Sequence, residues 1–269
     1  MENNKTTNKG NNSLKRQANI ANYARQEEGV LLTESNTLSF NKKTLACKAW
    51  NNSGYKSLSN EIRSMSSQFA LLEYMNRNNI NSLEELYPRL KQEQITTENE
   101  IRNGDYRKRL TGTALSKVSF RNFNKATNYR CYSTLNHCLW LLLQQNSLLL
   151  TKPFKIINAL PKSIRLQLIT KPIYKNSTFS DLRSVVKQSY KQQRISFYLL
   201  NNLDGFTALL ITVIFQLIIW QQTRPTNAEL LAGKMFNELF EVKFPLAKAE
   251  VMKIKIESLL KFYEDRRQH

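Results

Sequence analysis

Between Asp204 and Arg224 lie 19 consecutive residues, Gly205 to Thr223, without a charge, in a chain whose formal net charge is +19. An uncharged run of that length must either cross a membrane or be buried in protein. The hydrocarbon layer is about 30 Å thick and takes about 20 apolar residues to span. The apolar centre here, Ala208 to Trp220, has 13 residues, and Thr207, Thr212, Gln216, Gln221 and Gln222 interrupt the wider run. That length and polarity predict a central core helix, apolar on every side and therefore surrounded by protein. A membrane anchor over residues 205–223 and a buried interface segment stay open as alternatives.

The rest of the chain supplies what such a helix would pack against. Only 7 Gly and 6 Pro occur in 269 residues, so tight turns are few, and an all-α or mostly α fold is expected. The length suits one large domain or two small ones. Ile62, Met65, Phe69, Leu72 and Met75 recur at steps of three and four, the spacing of one helical face ending near Asn78-Asn79. Ser82 followed by Glu85 predicts a capping box, and Leu83, Leu86, Leu90 and Ile95 continue that helix around Pro88, where a kink is expected. Asn103-Gly104-Asp105 reads as a turn. Ser163 is a candidate cap for one short helix, and Thr178 or Ser180 for another. The latter, "SDLRSVVKQSYKQQ", would carry Leu182, Val185, Val186 and Tyr190 on its apolar side and Arg183, Lys187, Lys191 and Arg194 on the other. Thr226-Asn227 caps a helix with the stripe Leu231, Met235, Phe236, Leu239 and Phe240, and Pro245 stops it. A final amphipathic helix shows Met252, Ile256, Leu259, Leu260 and Tyr263 on one side, which either packs on its own domain or reaches a neighbouring subunit. The Asn- and Lys-rich start reads as a flexible, weakly basic arm, with no apolar segment of the secretory kind.

Charge is segregated along the chain. Residues 1–105 hold 14 Lys/Arg against 12 Asp/Glu, residues 106–224 hold 18 against 2, and residues 225–269 hold 8 against 7. Charge of one sign over that length repels itself unless a polyanion neutralises it. Nucleic acid is the first candidate and an anionic membrane surface the second. The cations fall in two blocks: Arg107, Lys108, Arg109, Lys117, Arg121, Lys125 and Arg130, then Lys162, Arg165, Lys171, Lys175, Arg183, Lys187, Lys191 and Arg194. Phe120, Phe123, Tyr129 and Tyr132 interleave with the first block. A single strand can stack its bases on such rings while lysines hold its phosphates, so Phe120 joins the candidate RNA-binding residues. Ordinary core packing is the competing account of these four rings.

Enzymatic chemistry finds no foothold. There is no G-x-x-x-x-G-K-[ST] loop, G-x-G-x-x-G, G-x-S-x-G or H-E-x-x-H, and only Asp181 and Asp204 are carboxylates in the basic half. A two-metal nuclease needs more of them. Cys131, His137 and Cys138 lack the second ligand pair of a zinc site, and three cysteines without framework spacing suit free thiols in a reducing compartment. No enzyme activity, no metal, no cofactor and no small-molecule substrate is expected.

"KVSFRNFNKATNYRC" (117–131) and "AGKMFNELFEVKFP" (232–245) resemble segments of nucleoproteins of segmented negative-strand RNA viruses, the bunyavirus-like group and its plant emaravirus type. The resemblance implies a two-lobed helical body with a basic cleft and flexible N-terminal and C-terminal arms: an arm over 1–40, lobes over 41–150 and 151–245, and an arm helix over 246–269. It implies single-stranded genomic RNA as partner, with Lys117, Arg121 and Lys125 toward phosphates. It further implies homo-oligomers linked through the arms, Met252, Ile256, Leu259, Leu260 and Tyr263 supplying the C-terminal contact. A viral polymerase as a further partner, and a place in the virion and host cytoplasm, follow from the same likeness. A second segment, "FKIINALPKSIRLQLITKPIYKNSTFSDLRSVVKQSY" (154–190), is similar to the capsid region of retrotransposon Gag proteins, in which a leucine-proline turn precedes a basic helix and a "TFSDL" helix start. A Gag-like shell protein, a ribosomal or organellar RNA-protein component and a protein anchored in a membrane by residues 205–223 are the alternative functions.

Overall fold

In the computed structural model, residues 53–92, 108, 110, 113–126, 131–241 and 246–267 are described. The expected N-terminal arm, the turn at 103–105 and the site residues Arg107, Arg109 and Arg130 lie outside them, as do the side chains of Arg121 and Lys125. Thirteen helices follow one another among the described residues: α1 Asn60–Arg77, α2 Leu83–Gln92, α3 Lys117–Ala126, α4 Tyr132–Leu135, α5 Cys138–Gln144, α6 Leu148–Thr151, α7 Pro153–Ile157, α8 Lys162–Leu168, α9 Phe179–Val185, α10 Lys191–Leu199, α11 Leu203–Ile218, α12 Asn227–Phe236 and α13 Leu246–Glu264. The protein is mostly α-helical, and the described residues contain no strand, only one isolated antiparallel bridge between Ile169 and Val186.

Residues 205–218 of the uncharged run lie in α11, the centre of the core, while Gln221, Gln222 and Thr223 follow it and are exposed. From Leu203 to Leu217 every residue except Asp204 is buried. Helices α5, α8, α10, α12 and α13 all pack against it. Its start is set by Asn202, whose side-chain oxygen accepts from the Gly205 N–H at 2.9 Å. The two threonines inside it do not need water. Thr207 donates to the Leu203 carbonyl at 2.7 Å and Thr212 to the Ala208 carbonyl at 2.8 Å, so both buried hydroxyls are satisfied within the helix. No helix among the described residues is long and apolar enough to cross a membrane.

The first half of the chain joins the same core. In α1, Ile62, Met65, Phe69 and Met75 are buried as their spacing predicts, and so are Ser66, Ser67, Gln68 and Leu71 on further sides. Phe69 lies 5.1 Å from Phe240 and 6.2 Å from Trp140 between ring centres, while Phe206 lies 5.2 Å from Phe240. Residues on both sides of position 150 thus share one aromatic cluster, and all described residues belong to one compact unit that begins at Trp50. A polar tie fastens the middle of α1: the Leu115 N–H donates to the Tyr55 hydroxyl at 2.7 Å, and that hydroxyl is 2.6 Å from Ser67 Oγ.

The last helix, α13, packs on α5 and α11. Met252, Leu259, Leu260 and Tyr263 are buried in this chain's own core and Ile256 is half-buried. Of the two roles open to this apolar side, the structure shows it packed against its own body. Polar contacts hold the helix there. Arg224, 17% exposed, donates to Glu229 Oε1 from Nε and from a terminal nitrogen, at 2.9 and 2.6 Å. It also grips both carboxylate oxygens of Glu257 on α13, at 2.6 and 2.7 Å. Lys255 reaches Glu61 at 2.7 Å and Lys253 reaches Glu241 at 2.7 Å.

The arginine fork gives stability a pH signature. Hydrogen bonds from Arg224 hold the Glu257 carboxyl below its ordinary value. A depressed folded-state value means that the pair's contribution is complete above the ordinary glutamate range, about 4.3, and is lost as pH falls through the folded value. Replacing Arg224 by Met is expected to lower stability by about 2 kcal/mol at neutral pH, since two charge-assisted contacts go and a half-buried Glu229 loses its partner. Urea midpoints of both proteins between neutrality and acid check this. The gap between them narrows in acid if the fork acts as described, and a gap independent of pH contradicts it.

Candidate nucleic-acid interface

The second basic block condenses into a cluster of short helices, α7 to α10, for local reasons. Pro153 opens α7, and Pro161 stands at the N-cap of α8, so each proline starts a helix at a place where its missing N–H does no harm. Ser163 lies inside α8 and caps nothing, a correction to the cap expected there. Thr178 caps α9 in a full capping box: its hydroxyl accepts from the Asp181 N–H at 3.3 Å, and Asp181 accepts from the Thr178 N–H at 2.7 Å. Those hydrogen bonds from Thr178 hold the Asp181 carboxyl below its usual range. The one acid of the block is thereby spent on a helix start.

The long cation-striped helix over 180–194 does not form. Helix α9 stops at Val185, Val186 is extended, and the chain restarts as α10 at Lys191. Two backbone hydrogen bonds explain the break. The Thr170 N–H donates to the Val185 carbonyl at 2.7 Å, and the Lys187 N–H donates to the Leu168 carbonyl at 2.9 Å. These bonds tie 168–170 to 185–187 as a clasp, and they use groups that a continuous helix would need. The β-branched Val185-Val186 pair, a poor helix former, favours that outcome. Ser196 Oγ donates to Gln167 Oε1 at 3.0 Å, and Gln193 also bonds to Gln167, so α10 is fastened to α8.

What this cluster presents is positive charge without internal compensation. Residues 152–194 hold ten cations (Lys152, Lys155, Lys162, Arg165, Lys171, Lys175, Arg183, Lys187, Lys191, Arg194) and one acid. None of the ten forms an ion pair among the described residues; the cationic side chains that do are Arg77, His137 if protonated, Arg224, Lys253 and Lys255. Lys152, Lys155, Lys162, Lys171, Lys175, Arg183 and Lys191 are exposed. Lys187 is exposed but its ammonium donates to the Leu166 carbonyl at 2.5 Å. Arg194 is half-buried and donates to the Ser189 carbonyl at 2.6 Å; Arg165 is half-buried too. Helix α10 begins at Lys191 with no acid in its first turn, so its positive end adds to the field of the lysines.

The first basic block is placed differently. Lys108 and Lys117 are exposed. Phe120 is not available to a base: it is 0% exposed, with its ring 5.2 Å from Tyr55 and 6.2 Å from Tyr132. Phe123 is buried as well, and Tyr132 is half-buried, so core packing accounts for these rings. Helix α3 is therefore anchored at the Tyr55 end of the body, and no hydrogen bond among the described residues links it to the α7–α10 cluster.

Two aromatic residues outside the expected set stand out on the second block instead. Tyr174 is 71% exposed and Tyr190 is 68% exposed. Tyr174 carries a legible signal, since the residues three and four positions away, Thr170, Lys171, Ser177 and Thr178, offer it no apolar face; Tyr190 carries none, because Val186 four positions before it continues an apolar stripe. The helix that would bury Tyr190 on that stripe does not form, and the ring is left in solvent.

Elsewhere the nucleophile-like residues are used structurally. His137 Nδ1 accepts from the Leu139 N–H at 3.1 Å as the cap of α5, which leaves Nε2 to carry the proton toward Asp204 Oδ1 at 2.9 Å. Burial, and secondarily Asp204, push the neighbouring Cys138 thiol up to about 12, which keeps it protonated at neutral pH. Among the described residues no group of three or more His, Cys, Asp or Glu could hold a metal ion. No protein-family model, curated protein or solved structure matches the chain.

Proposed function

We propose that this chain is a helical polyanion-binding protein whose α7–α10 cluster takes the phosphate backbone of nucleic acid. More particularly, we read it as a nucleoprotein that coats single-stranded RNA with little sequence preference and assembles with copies of itself. The observation that carries the first step is the set of ten cations and one acid over 152–194, with none of the ten in an ion pair. Elsewhere in the body, ion pairs such as Arg224–Glu257 and Lys255–Glu61 neutralise basic residues internally. Unpaired charge on one cluster costs stability through self-repulsion and is offset when phosphates bind. The second step, RNA as a genomic coat, rests on the likeness of 117–131 and 232–245 to viral nucleoproteins. For self-assembly the body offers the exposed apolar residues Leu199, Leu230 and Ile254, since the apolar side of α13 is occupied.

Size-exclusion chromatography of the recombinant protein, with absorbance at 260 and 280 nm, tests both steps. A large species with a high 260/280 ratio that shrinks after RNase and high salt is the expected result. A monomer free of nucleic acid removes the coat. Recovery only in detergent assigns the basic cluster to an anionic membrane instead.

A further inference from the structure

We infer that Tyr174 and Tyr190 are base-stacking residues, and that they make the α7–α10 surface selective for single-stranded nucleic acid over duplex. The inference deepens the reading above and rests on it. Both rings are largely in solvent, at 71% and 68% exposure, on the one cluster where unpaired cations gather. Tyr174 stands between Lys171 and Lys175, and Tyr190 between Lys187 and the Lys191–Arg194 turn. Neither ring lies against another aromatic or under a cation among the described residues. The contrast with Tyr55 and Tyr263, both 0% exposed, is direct.

The backbone under each ring is fixed. The Tyr174 N–H donates to Ser177 Oγ at 2.8 Å and its carbonyl accepts from the Ser177 N–H at 2.9 Å, closing a turn. Tyr190 is the N-cap residue of α10, with extended backbone, and its carbonyl accepts from the Arg194 N–H at 3.2 Å. The Ile169–Val186 bridge is antiparallel and joins the two stretches of chain, Tyr174 following Ile169 by five residues and Tyr190 following Val186 by four. A strand of nucleic acid bound at the clasp would have two exposed rings close to it in the chain, each flanked in sequence by lysines for the adjoining phosphates. Unpaired bases can stack on such rings, whereas the bases of a duplex are already stacked on each other. Each base–aromatic stack changes affinity by roughly 5- to 150-fold.

The test uses the full chain and two labelled probes of mixed sequence, a single RNA strand of roughly 20 nucleotides, longer than the ~4–16 that one groove commonly covers, and the corresponding duplex. Binding is followed by fluorescence anisotropy for the wild type, Tyr174→Ala, Tyr190→Ala and both Tyr→Phe variants, with urea midpoints as a check on folding. The expected result is a loss of about 5-fold or more in single-strand affinity for each Ala variant, unchanged duplex affinity, unchanged salt dependence, and recovery in the Phe variants. If the Ala variants keep wild-type affinity for the single strand, or lose affinity equally for both probes, the stacking role is overturned while nucleic-acid binding stands. If the wild type binds neither probe, the underlying reading fails and the inference with it.

Discussion

Changing Lys171, Lys175, Arg183 and Lys191 together to Ala lowers RNA affinity by about 10²- to 10³-fold at roughly 0.1 M salt, and flattens the salt dependence by about 3 in log–log slope. Each phosphate neutralised on a single strand contributes about 0.7 to that slope, and four contacts over the decade of salt below about 1 M give the stated range. All four side chains are exposed and none has a hydrogen-bond or ion-pair partner among the described residues, so the fold loses nothing that holds it together. Removing like charges from one cluster, and Lys191 from the positive end of α10, is neutral or mildly stabilising. Anisotropy titrations over a salt series check the outcome. Lys234→Ala, an exposed lysine on α12 outside the cluster, is the control and leaves both affinity and slope unchanged. An equal loss per charge removed in the control and in the quadruple variant would mean that the protein binds through its total charge and has no localised surface.

How far the sequence carried this depended on whether a feature was local. The buried helix within the uncharged run at 205–223, the end of α1 at Asn78 and the caps at Thr178 and Thr226 involve residues within a few positions of each other, and the structure places them as spacing predicts. The helix over 180–194 failed because its competitor was distant in sequence. The periodicity of Leu182, Val185, Val186 and Tyr190 carries no trace of Thr170 and Leu168, whose backbone groups capture those of Val185 and Lys187. Phe120 failed for the same kind of reason. Its neighbours in sequence are cations, but its neighbours in space are Tyr55 and Tyr132. The apolar side of α13 was legible as a stripe, while its occupant was not, because an amphipathic helix looks alike whether it packs on its own body or on another copy. The contacts that decide the matter, such as Arg224 to Glu257, span 33 positions.

Gly205→Ala is expected to destabilise the protein by about 2–4 kcal/mol, against the ordinary preference of helices for alanine. Gly205 lies in the first turn of α11, where α10 runs closest to it. A Cβ placed there would sit 2.3 Å from the Phe197 carbonyl oxygen, 3.0 Å from Leu200 Cβ and 3.2 Å from Met235 Cε. The nearest obstacle is backbone, so no side-chain rotation relieves it, and α10 has to move away from the core helix. That movement strains the contacts of α10 with α11 and α12, and the bonds of Gln193 and Ser196 to Gln167 that fix it to α8. Gly233→Ala on α12 is the matched comparison. A Cβ there meets nothing within 4 Å, so the same chemical change should stabilise by about 0.5–1 kcal/mol through helix propensity alone. Urea unfolding reads both variants: a lower midpoint for Gly205→Ala and a higher one for Gly233→Ala, with the slopes of both unchanged. Equal gains at both positions would show that α10 does not lie against α11 as described. Because α10 carries Lys191 and Arg194, the Gly205 variant should also lose part of its RNA affinity, and Gly233→Ala should lose none.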